Sequence, residues 1–336
     1  MSAAVTVSSV ELESVIARAL AASNTSDANA KIVARALAQA EIDGQTGHGI
    51  VRVGQYCGHA RVGKVDGHAR PDVHSTRPAA LMIDARAGFA YPAFEAALER
   101  LPAMARAHGI ASAGIRRSHH YGVAGYHVER YADQGFIALV MGNTPEAMAA
   151  WGGRRPLFGT NPLAFAAPQR GRPALVLDMA LTEVARSKVR AAADKGEPIP
   201  PTWAIDRHGM PTTDAKAALD GTLMPIGGAK GAALALMVEV LAVALTGARF
   251  GYEASSFLDD KGGPPGVGQL IVVIDPDAFA GRDRFLERIG DLVATVEGDG
   301  ARLPGARRIA LRAAAARDGV SVERKLWDET RARVAI

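Results

Sequence analysis

The pattern of apolar and polar positions predicts helices at both ends of the chain. Ser8 or Ser9 can cap a first helix and Ser26 a second, because apolar residues recur at helical spacing after each of these serines. A third helix is predicted from His48 to about Arg61, and a last amphipathic helix from Gly319 to Ala335. The two ends of the chain are therefore expected to be mainly helical.

Between these ends, apolar runs typical of strands mix with amphipathic runs typical of helices. The predicted strands are Ala80–Asp84, Ile110–Ile115, Phe136–Met141, Leu163–Ala167, Ala174–Asp178 and Leu270–Asp275. The predicted helices are Ala93–His108, Gly122–Gln134, Thr182–Ala193 and Arg284–Glu297. Because the strands and helices do not alternate strictly, we expect an α/β or α+β fold class.

One window of the sequence is almost wholly apolar. It runs from Gly231 to Ala248, holds a single charge at Glu239, and follows a glycine-rich segment. The window is short for a membrane-spanning helix and contains that charge, so we expect a fully buried helix and no membrane span.

Composition and charge narrow the class of protein. The 336 residues are 48% hydrophobic and 22% charged, which is ordinary for a folded globular protein. The net charge is +4 and is spread along the chain, so no nucleic-acid partner is expected. The single cysteine, Cys57, excludes an internal disulfide and a multi-cysteine zinc site, and it indicates a cytoplasmic protein. The N-terminal residues do not resemble a signal peptide.

His48 and Arg52 form the first candidate site. On the predicted third helix they are four residues apart and share a face. An imidazole that can donate a proton near neutral pH, beside a guanidinium that can bind a carboxylate, suits the reduction of a 2-oxo or 2-imino acid. The alternative is a histidine at a helix N-terminus and an arginine exposed to solvent.

A second candidate site is the pair His119 and His120, which follows a predicted strand and precedes a predicted helix. Such a turn presents peptide N–H groups and an imidazole at an edge of the sheet where ligands of α/β proteins often bind. The alternative is a helix cap at Ser118 with surface histidines. His127 is poorly spaced for a shared zinc ion, so no metal is expected.

Four further positions carry groups suited to anions or sugars. Thr160, in Gly159–Pro162, offers a hydroxyl to a substrate carboxylate, and Asp178 at a strand end could bind ribose hydroxyls. Lys230 follows glycines at the start of a helix, an arrangement that attracts phosphate. Arg302–Arg308 places three arginines around a Pro-Gly turn, which suits a phosphate such as a ribose 2′-phosphate. Each position taken singly also fits an ordinary strand end or surface loop.

Taken together and in order, these segments resemble the type 2 malate/L-lactate dehydrogenase family. The most specific matches are Gly159–Pro162, Asp178–Ala180, Pro225–Gly231 and Leu303–Arg308, and the resemblance extends from the first helices to Val322. This family also includes ureidoglycolate dehydrogenase, diketogulonate reductase, sulfolactate dehydrogenase, and reductases of delta-1-piperideine-2-carboxylate and delta-1-pyrroline-2-carboxylate.

The resemblance implies an NAD(P)-dependent oxidoreductase with a family-specific, non-Rossmann coenzyme-binding fold. That agrees with the sequence, because no predicted strand is followed by G-x-G-x-x-G. It also implies a homodimer, a helical substrate and dimer domain of residues 1–78 and 309–336, and an NAD(P)-binding mixed-sheet domain of residues 79–308. The arginines of Arg302–Arg308 favour NADPH, with NADH as the alternative.

The same resemblance assigns roles to particular residues. His48 is the expected proton donor, with His120 as the alternative, and the expected substrate ligands are Arg52, Thr160 and Arg186. The residues expected to line the coenzyme are His120, Tyr121, Gly122, Val123, Ala124, Asp178, Met179, Ala180, Ala229, Lys230, Arg302, Leu303, Pro304, Gly305, Arg307 and Arg308.

Two positions depart from the family pattern. Most relatives have a serine before the helix histidine, where this chain has Gly47. The imine-reducing relatives have an aspartate soon after an Ala-Arg-Gly sequence, where this chain has Ala185-Arg186-Ser187-Lys188. A Ser–His–Asp relay therefore cannot be assigned to this chain, and His48 must be oriented by another group or by water.

The leading hypothesis for function is NAD(P)H-dependent reduction of a small cyclic imino acid at C2. The substrate would be delta-1-pyrroline-2-carboxylate or delta-1-piperideine-2-carboxylate and the product L-proline or L-pipecolate, because Gly227–Leu241 resembles that branch of the family. The alternative is an NAD(P)-dependent L-2-hydroxy acid dehydrogenase of the malate or lactate type. A catalytically inactive nucleotide-binding member and a metal-dependent hydrolase are weaker alternatives.

Overall fold

The computed structural model of the protein describes residues 4–334. Its strands are β1 (Ala4–Val7), β2 (Asp72–Arg77), β3 (Ala80–Asp84), β4 (Ile110–Ser118), β5 (Ile137–Gly142), β6 (Met148–Ala149), β7 (Pro156–Phe158), β8 (Leu163–Ala167), β9 (Leu175–Met179), β10 (Ala204–Ile205), β11 (Thr222–Leu223), β12 (Val267–Ile274) and β13 (Val320–Glu323). Its α-helices are α1 (Ser9–Ala21), α2 (Asp27–Ile42), α3 (Val51–Arg61), α4 (Ala90–His108), α5 (Ala124–Ala132), α6 (Arg186–Lys195), α7 (Ala215–Asp220), α8 (Ala229–Val238), α9 (Arg282–Gly298), α10 (Ala306–Asp318) and α11 (Arg324–Val334). Shorter segments are 3₁₀ turns at Thr46–His48 and Pro276–Ala278 and a π-helical segment at Glu239–Ala244.

A mixed sheet forms the centre of the described part of the chain, with seven strands in the order β2-β3-β4-β12-β5-β8-β9. β3 and β4 run parallel, whereas β12 pairs antiparallel with both β4 and β5. β12 suits this central position because its residues Ile271 and Val273 are wholly buried. The arrangement confirms the predicted α/β (α+β) class and explains why strands and helices do not alternate strictly along the chain.

Helices α4 and α5 cover this sheet and complete its hydrophobic core. Phe94 and Leu101 of α4 and Val128 of α5 are buried in one cluster with Ile115 of β4. Each such side chain contributes about 1.5–3 kcal/mol of transfer free energy on burial, so the cluster fixes both helices against the strands. The start of α5 is thereby held next to the end of β4.

The two ends of the chain meet in a second hydrophobic cluster. β1 pairs antiparallel with β13, which sets Val5 opposite Val322. α1, α2 and α11 contribute the buried side chains Leu12, Leu37 and Trp327 to the same cluster. The chain ends are therefore packed together, and α3 lies against them.

The domain limits proposed from the sequence stay a prediction. Residues 1–3 and 335–336, which belong to the predicted helical domain, lie outside the described residues.

A smaller sheet adjoins the central one, with its strands in the order β10-β11-β6-β7. α6 and α7 pack together around the buried residues Val189, Ala215 and Leu223 of this unit. These strands were not predicted from the sequence, because runs of two or three residues show no recognisable alternation of apolar and polar positions.

The predicted third helix begins later than its sequence suggested. Thr46–His48 form a 3₁₀ turn, and α3 starts only at Val51. The prediction that His48 and Arg52 share one helical face is therefore wrong. Gly47 and Gly49 flank His48, and glycine disfavours a regular helix at these positions.

The predicted last helix, Gly319–Ala335, is wrong in its first part. Val320 and Val322 are buried and alternate with exposed residues, so this stretch forms β13 before α11 begins. Ala335 lies outside the described residues. The structure also contains α10, which the sequence analysis did not predict.

The apolar window is helical but not fully buried, which corrects the sequence prediction. α8 continues as the π-helical segment, where Glu239 is 2% exposed. Several large apolar side chains of the same stretch are exposed, namely Leu234, Leu236, Met237, Val240 and Leu245. No helix within residues 4–334 is both long and apolar enough to cross a lipid bilayer.

Candidate active site

Two histidine rings lie face to face at the end of β4. His48 comes from the 3₁₀ turn after α2, and His120 from the residues that follow β4. Their ring centroids are 5.3 Å apart and their planes differ by 11°. The structure therefore brings together the two histidines that the sequence analysis had named as alternative proton donors.

A hydroxyl group from α3 holds the His120 ring. The Tyr56 Oη lies 2.6 Å from His120 Nδ1 and 3.1 Å from the Tyr91 Oη, and all three side chains are buried. With Tyr91 donating to Tyr56 and Tyr56 donating to Nδ1, a neutral His120 carries its proton on Nε2. Tyr56 could not be recognised as a site residue from the sequence, because a tyrosine on the buried face of a helix is ordinarily part of the core.

Burial keeps both histidines neutral near pH 7. The pKa of His48 is lowered to about 4, first by burial and then by the positive charge of Arg52. The same two causes, in the same order, lower the pKa of His120 well below 6.5. The Nδ1 atom of His48 is buried and has no hydrogen-bond partner among the described residues. An imidazole nitrogen in this state is available to a bound ligand.

Arg52 supplies the positive charge beside the histidine pair. Its Nε donates to the carbonyl of Gly47 at 2.7 Å, and its Nη1 donates to Gln55 Oε1 at 2.9 Å. Both acceptors are neutral, and within residues 4–334 no carboxylate pairs with this guanidinium. Arg52 therefore retains a positive charge that the carboxylate of a ligand can neutralise.

Thr160 lies in a loop that two neighbouring segments hold in place. Its N–H donates to Thr144 Oγ1 at 2.9 Å, and its carbonyl accepts from the N–H of Leu181 at 2.8 Å. The hydroxyl oxygens of Thr160 and Thr144 are 3.3 Å apart. The position of the Thr160 hydroxyl is thus set by the loops after β5 and β9.

Arg186, the third predicted substrate ligand, begins α6. Its guanidinium donates to the carbonyls of Glu146 at 3.4 Å and Leu219 at 3.3 Å. Burial lowers the pKa of Arg186, and the nearby charge of Arg190 lowers it further. Glu146 is two residues from Thr144, which accepts a hydrogen bond from Thr160. The Arg186 guanidinium therefore lies near the loop that carries Thr160.

A cavity of about 240 Å³ lies between the end of α2, the start of α5 and the loop before α10. Among the residues predicted to bind coenzyme, it is lined by Val123, Asp178, Pro304, Gly305, Arg307 and Arg308. The other residues that line it were not predicted from the sequence, namely Asp43, Gly44, Gln45, Gly125 and Val176. The Gln45 carbonyl accepts from the N–H of His48 at 2.8 Å, so one wall of the cavity leads to the histidine pair.

Polar groups in this cavity fit the ribose and phosphate groups of a nicotinamide coenzyme. Asp178 accepts from the N–H of Gly125 at 2.8 Å, and partial burial raises the pKa of its carboxyl group. Arg308 donates from Nη1 to Glu129 Oε2 at 3.0 Å, and its Nη2 is buried without a partner among the described residues. A carboxylate suits ribose hydroxyls and an unpaired guanidinium N–H suits a phosphate oxygen.

An ion-pair network holds the walls of this cavity together. Arg312 of α10 donates to both oxygens of Asp43 at 2.6 and 2.7 Å, and to both oxygens of Glu129 at 2.9 and 2.6 Å. Both carboxylates are buried. Arg312 therefore joins α10 to the end of α2 and to α5, the elements that enclose the cavity.

Other predicted coenzyme ligands lie outside this cavity. The Tyr121 ring is in the hydrophobic core and stacks on Phe94, so only the backbone of Tyr121 is available to a ligand. Arg302 and Leu303 line a separate cavity of about 340 Å³, which shares only Pro304 with the first. Gly122 and Ala124 flank the cavity residue Val123, and the remaining predicted ligands are solvent-accessible: Met179, Ala180, Ala229 and Lys230.

His119, the first histidine of the pair, makes a different set of contacts. Its Nε2 lies 2.9 Å from His59 Nδ1, and its ring packs against Phe257. Phe257 also packs against His120, with ring centroids 5.2 Å apart. The Lys64 ammonium donates to two carbonyls of the loop that carries Phe257, at 2.8 and 2.5 Å. This loop therefore forms an apolar wall beside His120.

No group of three His, Cys, Asp or Glu side chains within residues 4–334 is arranged to hold a metal ion.

Comparisons with known proteins confirm the family resemblance. The sequence profile of the malate/L-lactate dehydrogenase family matches residues 7–331. A (2R)-3-sulfolactate dehydrogenase (NADP(+)) from Chromohalobacter salexigens is 48% identical over 305 residues, which is 90% of each chain. A Delta(1)-pyrroline-2-carboxylate/Delta(1)-piperideine-2-carboxylate reductase from Pseudomonas putida is 41% identical and covers 96% of this chain and 94% of its own. The crystal structure of delta1-piperideine-2-carboxylate reductase from Pseudomonas syringae superposes with a TM-score of 0.93 at 38% identity, over 98% of this chain and 99% of that one.

Proposed function

The chain belongs to the malate/L-lactate dehydrogenase family of NAD(P)-dependent oxidoreductases, and we propose that it transfers hydride between a nicotinamide coenzyme and C2 of a small carboxylate. The observation that carries this proposal is the stacked pair of neutral histidines beside the unneutralised charge of Arg52. Such a group of side chains suits an anionic substrate whose C2 heteroatom gains or loses a proton.

In this proposal each side chain has one task. The coenzyme, when bound, supplies or accepts the hydride. Arg52 binds the substrate carboxylate and so fixes C2 relative to the histidines. His48, the more accessible of the two rings, exchanges a proton with the heteroatom on C2. A bound carboxylate offsets the charge of Arg52, so His48 takes up a proton more readily in the complex than in the free protein.

His120 and Thr160 orient these groups in the proposed mechanism. His120 is held through Nδ1 by Tyr56 and keeps the His48 ring in place by stacking. The Thr160 hydroxyl donates to a substrate oxygen. Phe257 excludes water from one side of His120, because its ring is buried against it.

For the substrate we propose a 2-oxo acid and 2-hydroxy acid pair that carries a second anionic group. The first support is the 48% identity to the relative named for 3-sulfolactate. The second is the start of α6, where no side chain of residues 4–334 caps the peptide N–H groups and where Arg186, Lys188 and Arg190 add positive charge. The aspartate of imine-reducing relatives is absent from this segment, which leaves its charge wholly positive.

A cyclic imino acid is the second candidate substrate. Delta-1-pyrroline-2-carboxylate or delta-1-piperideine-2-carboxylate is supported by the 0.93 TM-score to a reductase of the latter. The similarity of Gly227–Leu241 to that branch supports it as well. An imine needs only one carboxylate contact, which Arg52 alone could provide.

A rate comparison separates the two candidates. Initial rates with NADPH and NADH would be measured on sulfopyruvate, oxaloacetate, pyruvate and the two cyclic imines. We expect the dianionic 2-oxo acids to give the highest kcat/KM; a preference for the imines would replace the first candidate with the second.

Two variants test the proposed roles of the side chains. Arg52→Gln should mainly raise the KM of the substrate, whereas His48→Ala should lower kcat by about 10²–10⁴-fold. Unchanged turnover in His48→Ala would transfer the proton-donor role to His120.

For the coenzyme we propose NADPH. Arg307 is exposed in the cavity beside Arg308, whose Nη2 is unpaired within the described residues. Arg307→Ala should raise the KM for NADPH and leave the KM for NADH nearly unchanged. Arg302→Ala is the matched control, because Arg302 lines the other cavity. Equal effects of Arg307→Ala on both coenzymes would contradict a 2′-phosphate contact.

We also propose a homodimer. The exposed apolar side chains of α8 and the π-helical segment, among them Leu236 and Val240, form the kind of surface that a second subunit covers. Light scattering should give twice the mass of the 336-residue chain, and Leu236→Glu should reduce it to that of one chain. A monomer in the unmodified protein would refute the proposal.

A further inference from the structure

A buried carboxylate lies behind the Thr160 loop. Glu239 is the single charge of the apolar window and the first residue of the π-helical segment. π-helical turns inside α-helices are rare and occur frequently at functional positions. The proposed hydride transfer does not use this group.

Four hydrogen-bond donors converge on the Glu239 carboxylate. The Asn161 Nδ2 donates to Oε1 at 3.0 Å, and the Asn143 Nδ2 lies 3.5 Å from Oε2. The peptide N–H groups of Gly159 and Gly251 lie near the same carboxylate. Burial raises the pKa of Glu239 to about 7, although the four donors lower it. One side chain thus joins three separate loops.

The backbone around Glu239 is shaped to allow this contact. A Cβ at Gly159 would overlap the Thr144 hydroxyl, and a Cβ at Gly251 would come within 2.8 Å of the Leu157 carbonyl. Asn161 has a φ of 39°, a left-handed conformation that is uncommon outside glycine. Such a conformation persists only where surrounding contacts hold it, and here the contacts are those of the Asn161 side chain.

The hydrogen bonds continue from Glu239 to Thr160. Asn161 Oδ1 accepts from the N–H of Thr144 at 3.3 Å, and Thr144 Oγ1 accepts from the N–H of Thr160 at 2.9 Å. Asn161 and Thr144 therefore form a two-residue connection between the buried carboxylate and the loop that carries the Thr160 hydroxyl.

We propose that Glu239 is a positioning residue that fixes the Gly159–Pro162 loop and thereby sets the Thr160 hydroxyl for substrate binding. This inference rests on the proposed substrate contact of Thr160. A carboxylate presents only acceptor oxygens to the Asn161 and Asn143 amides and to the nearby peptide N–H groups, whereas a glutamine side chain would turn its own NH₂ group toward some of them. Loss of the carboxylate should therefore displace the loop and weaken substrate binding more than coenzyme binding.

The test compares Glu239→Gln, Thr160→Val and the double variant with the unmodified protein. The measurements are KM for the best 2-oxo or 2-imino acid, kcat, the Kd of the coenzyme and the midpoint of thermal unfolding. Thr246→Val is the matched control, because Thr246 is buried in the turn after the same helical segment and donates only to carbonyls of that segment. Glu239→Asp retains a carboxylate and serves as the conservative variant.

We expect Glu239→Gln to raise KM by about 10- to 100-fold, the range that a small misplacement of a binding group causes. The Kd of the coenzyme should stay within about twofold, and Thr246→Val should leave KM unchanged even if it lowers the thermal midpoint. Glu239→Gln should add little to the KM of Thr160→Val, since both changes act on one contact. The KM of Glu239→Asp should lie between those of Glu239→Gln and the unmodified protein. If Glu239→Gln does not fold, Glu239→Asp is compared with the unmodified protein alone.

Three outcomes would overturn the proposal in distinguishable ways. If Thr160→Val raises KM but Glu239→Gln does not, Glu239 has only a structural role. If the two effects on KM add fully in the double variant, Glu239 acts through another contact. If Thr160→Val itself leaves KM unchanged, the proposed substrate contact fails and the inference fails with it.

Discussion

Replacing Tyr56 with phenylalanine removes one hydroxyl from the proposed active site and leaves the ring packing in place. That hydroxyl lies 2.6 Å from His120 Nδ1 and 3.1 Å from the Tyr91 hydroxyl. Its loss leaves two buried polar groups unpaired, and each such group costs about 1–3 kcal/mol. For the two groups together we expect the free energy of unfolding to fall by about 2–6 kcal/mol, without a further loss from packing, since the ring still packs against Phe89 and His119.

The expected loss of activity has a separate cause. Without the Tyr56 hydroxyl, His120 is free to rotate or to change its tautomer, and the His48 ring that stacks on it loses its fixed position. The net contribution of one hydrogen bond is about 1–1.5 kcal/mol, which corresponds to roughly a five- to tenfold fall in kcat. The coenzyme cavity is lined by other residues, so the Kd of the coenzyme should not change.

Steady-state rates at saturating coenzyme and urea unfolding followed by tryptophan fluorescence would measure the two effects. Tyr91→Phe is the control, because it removes only the hydroxyl contact with Tyr56 and leaves the bond to His120 intact. It should lower kcat by less than about threefold. If Tyr56→Phe loses stability but keeps full kcat, the hydroxyl has no part in orienting the histidine pair and the proposed arrangement is wrong.

Three further outcomes are expected. Gly47→Ser should leave the free energy of unfolding within about 0.5 kcal/mol, because a Cβ there would meet no atom of the described residues within 4 Å. A larger loss in urea unfolding would contradict that open space. Burial lowers the pKa of His127 from 6.5 to about 4, so the unfolded chain binds a proton at this histidine more readily than the folded protein does. The stability due to neutral His127 is therefore complete above pH 6.5, and the free energy of unfolding should fall by up to about 3 kcal/mol as the pH decreases to 4. His127→Gln should flatten this dependence of the unfolding free energy on pH, and an unchanged slope would assign it to other groups. Arg312→Met removes the arginine partner of the buried Asp43 and one of the two arginine partners of the buried Glu129, and it should cost about 3–5 kcal/mol of unfolding free energy. Arg317→Met, at an exposed pair, should cost less than about 1 kcal/mol, and equal losses would refute the reasoning.

Six of the seven strands of the central sheet could be predicted because each contains an apolar run, whereas β2, which is mostly polar and exposed, was not predicted. β3 and β8 match their predicted ranges, and β12 was found from its β-branched residues. The short strands β10 and β11 could not be predicted, since two residues carry no periodic signal. β13 could not be predicted for a different reason. Its buried and exposed residues alternate because it pairs with β1, and that pairing joins the two ends of the chain.

Some residues of the candidate site could likewise be predicted from the sequence, and others could not. Histidines, arginines and glycine-rich turns are recognisable by residue type and by resemblance, and the structure brings His48 and His120 together. Tyr56 carries no such signal, because it is 64 residues from its partner His120 and reads as part of an apolar helix face. Glu239 was noticed as the one charge of an apolar window, but its contacts with Asn161 and Asn143 depend on the path of three loops.

Position 47 is a glycine, so no serine hydroxyl is present there to orient the His48 ring. Stacking on His120 orients the ring instead. Crowding does not exclude a side chain at Gly47. The His48 ring is held by stacking on His120, whose Nδ1 is fixed by the Tyr56 hydroxyl. Stacking fixes the plane of the His48 ring but does not decide which nitrogen carries the proton, whereas a hydroxyl bonded to one nitrogen would decide it. The tautomer of His48 can therefore follow the bound substrate, which suits a site that donates a proton during reduction and accepts one during oxidation.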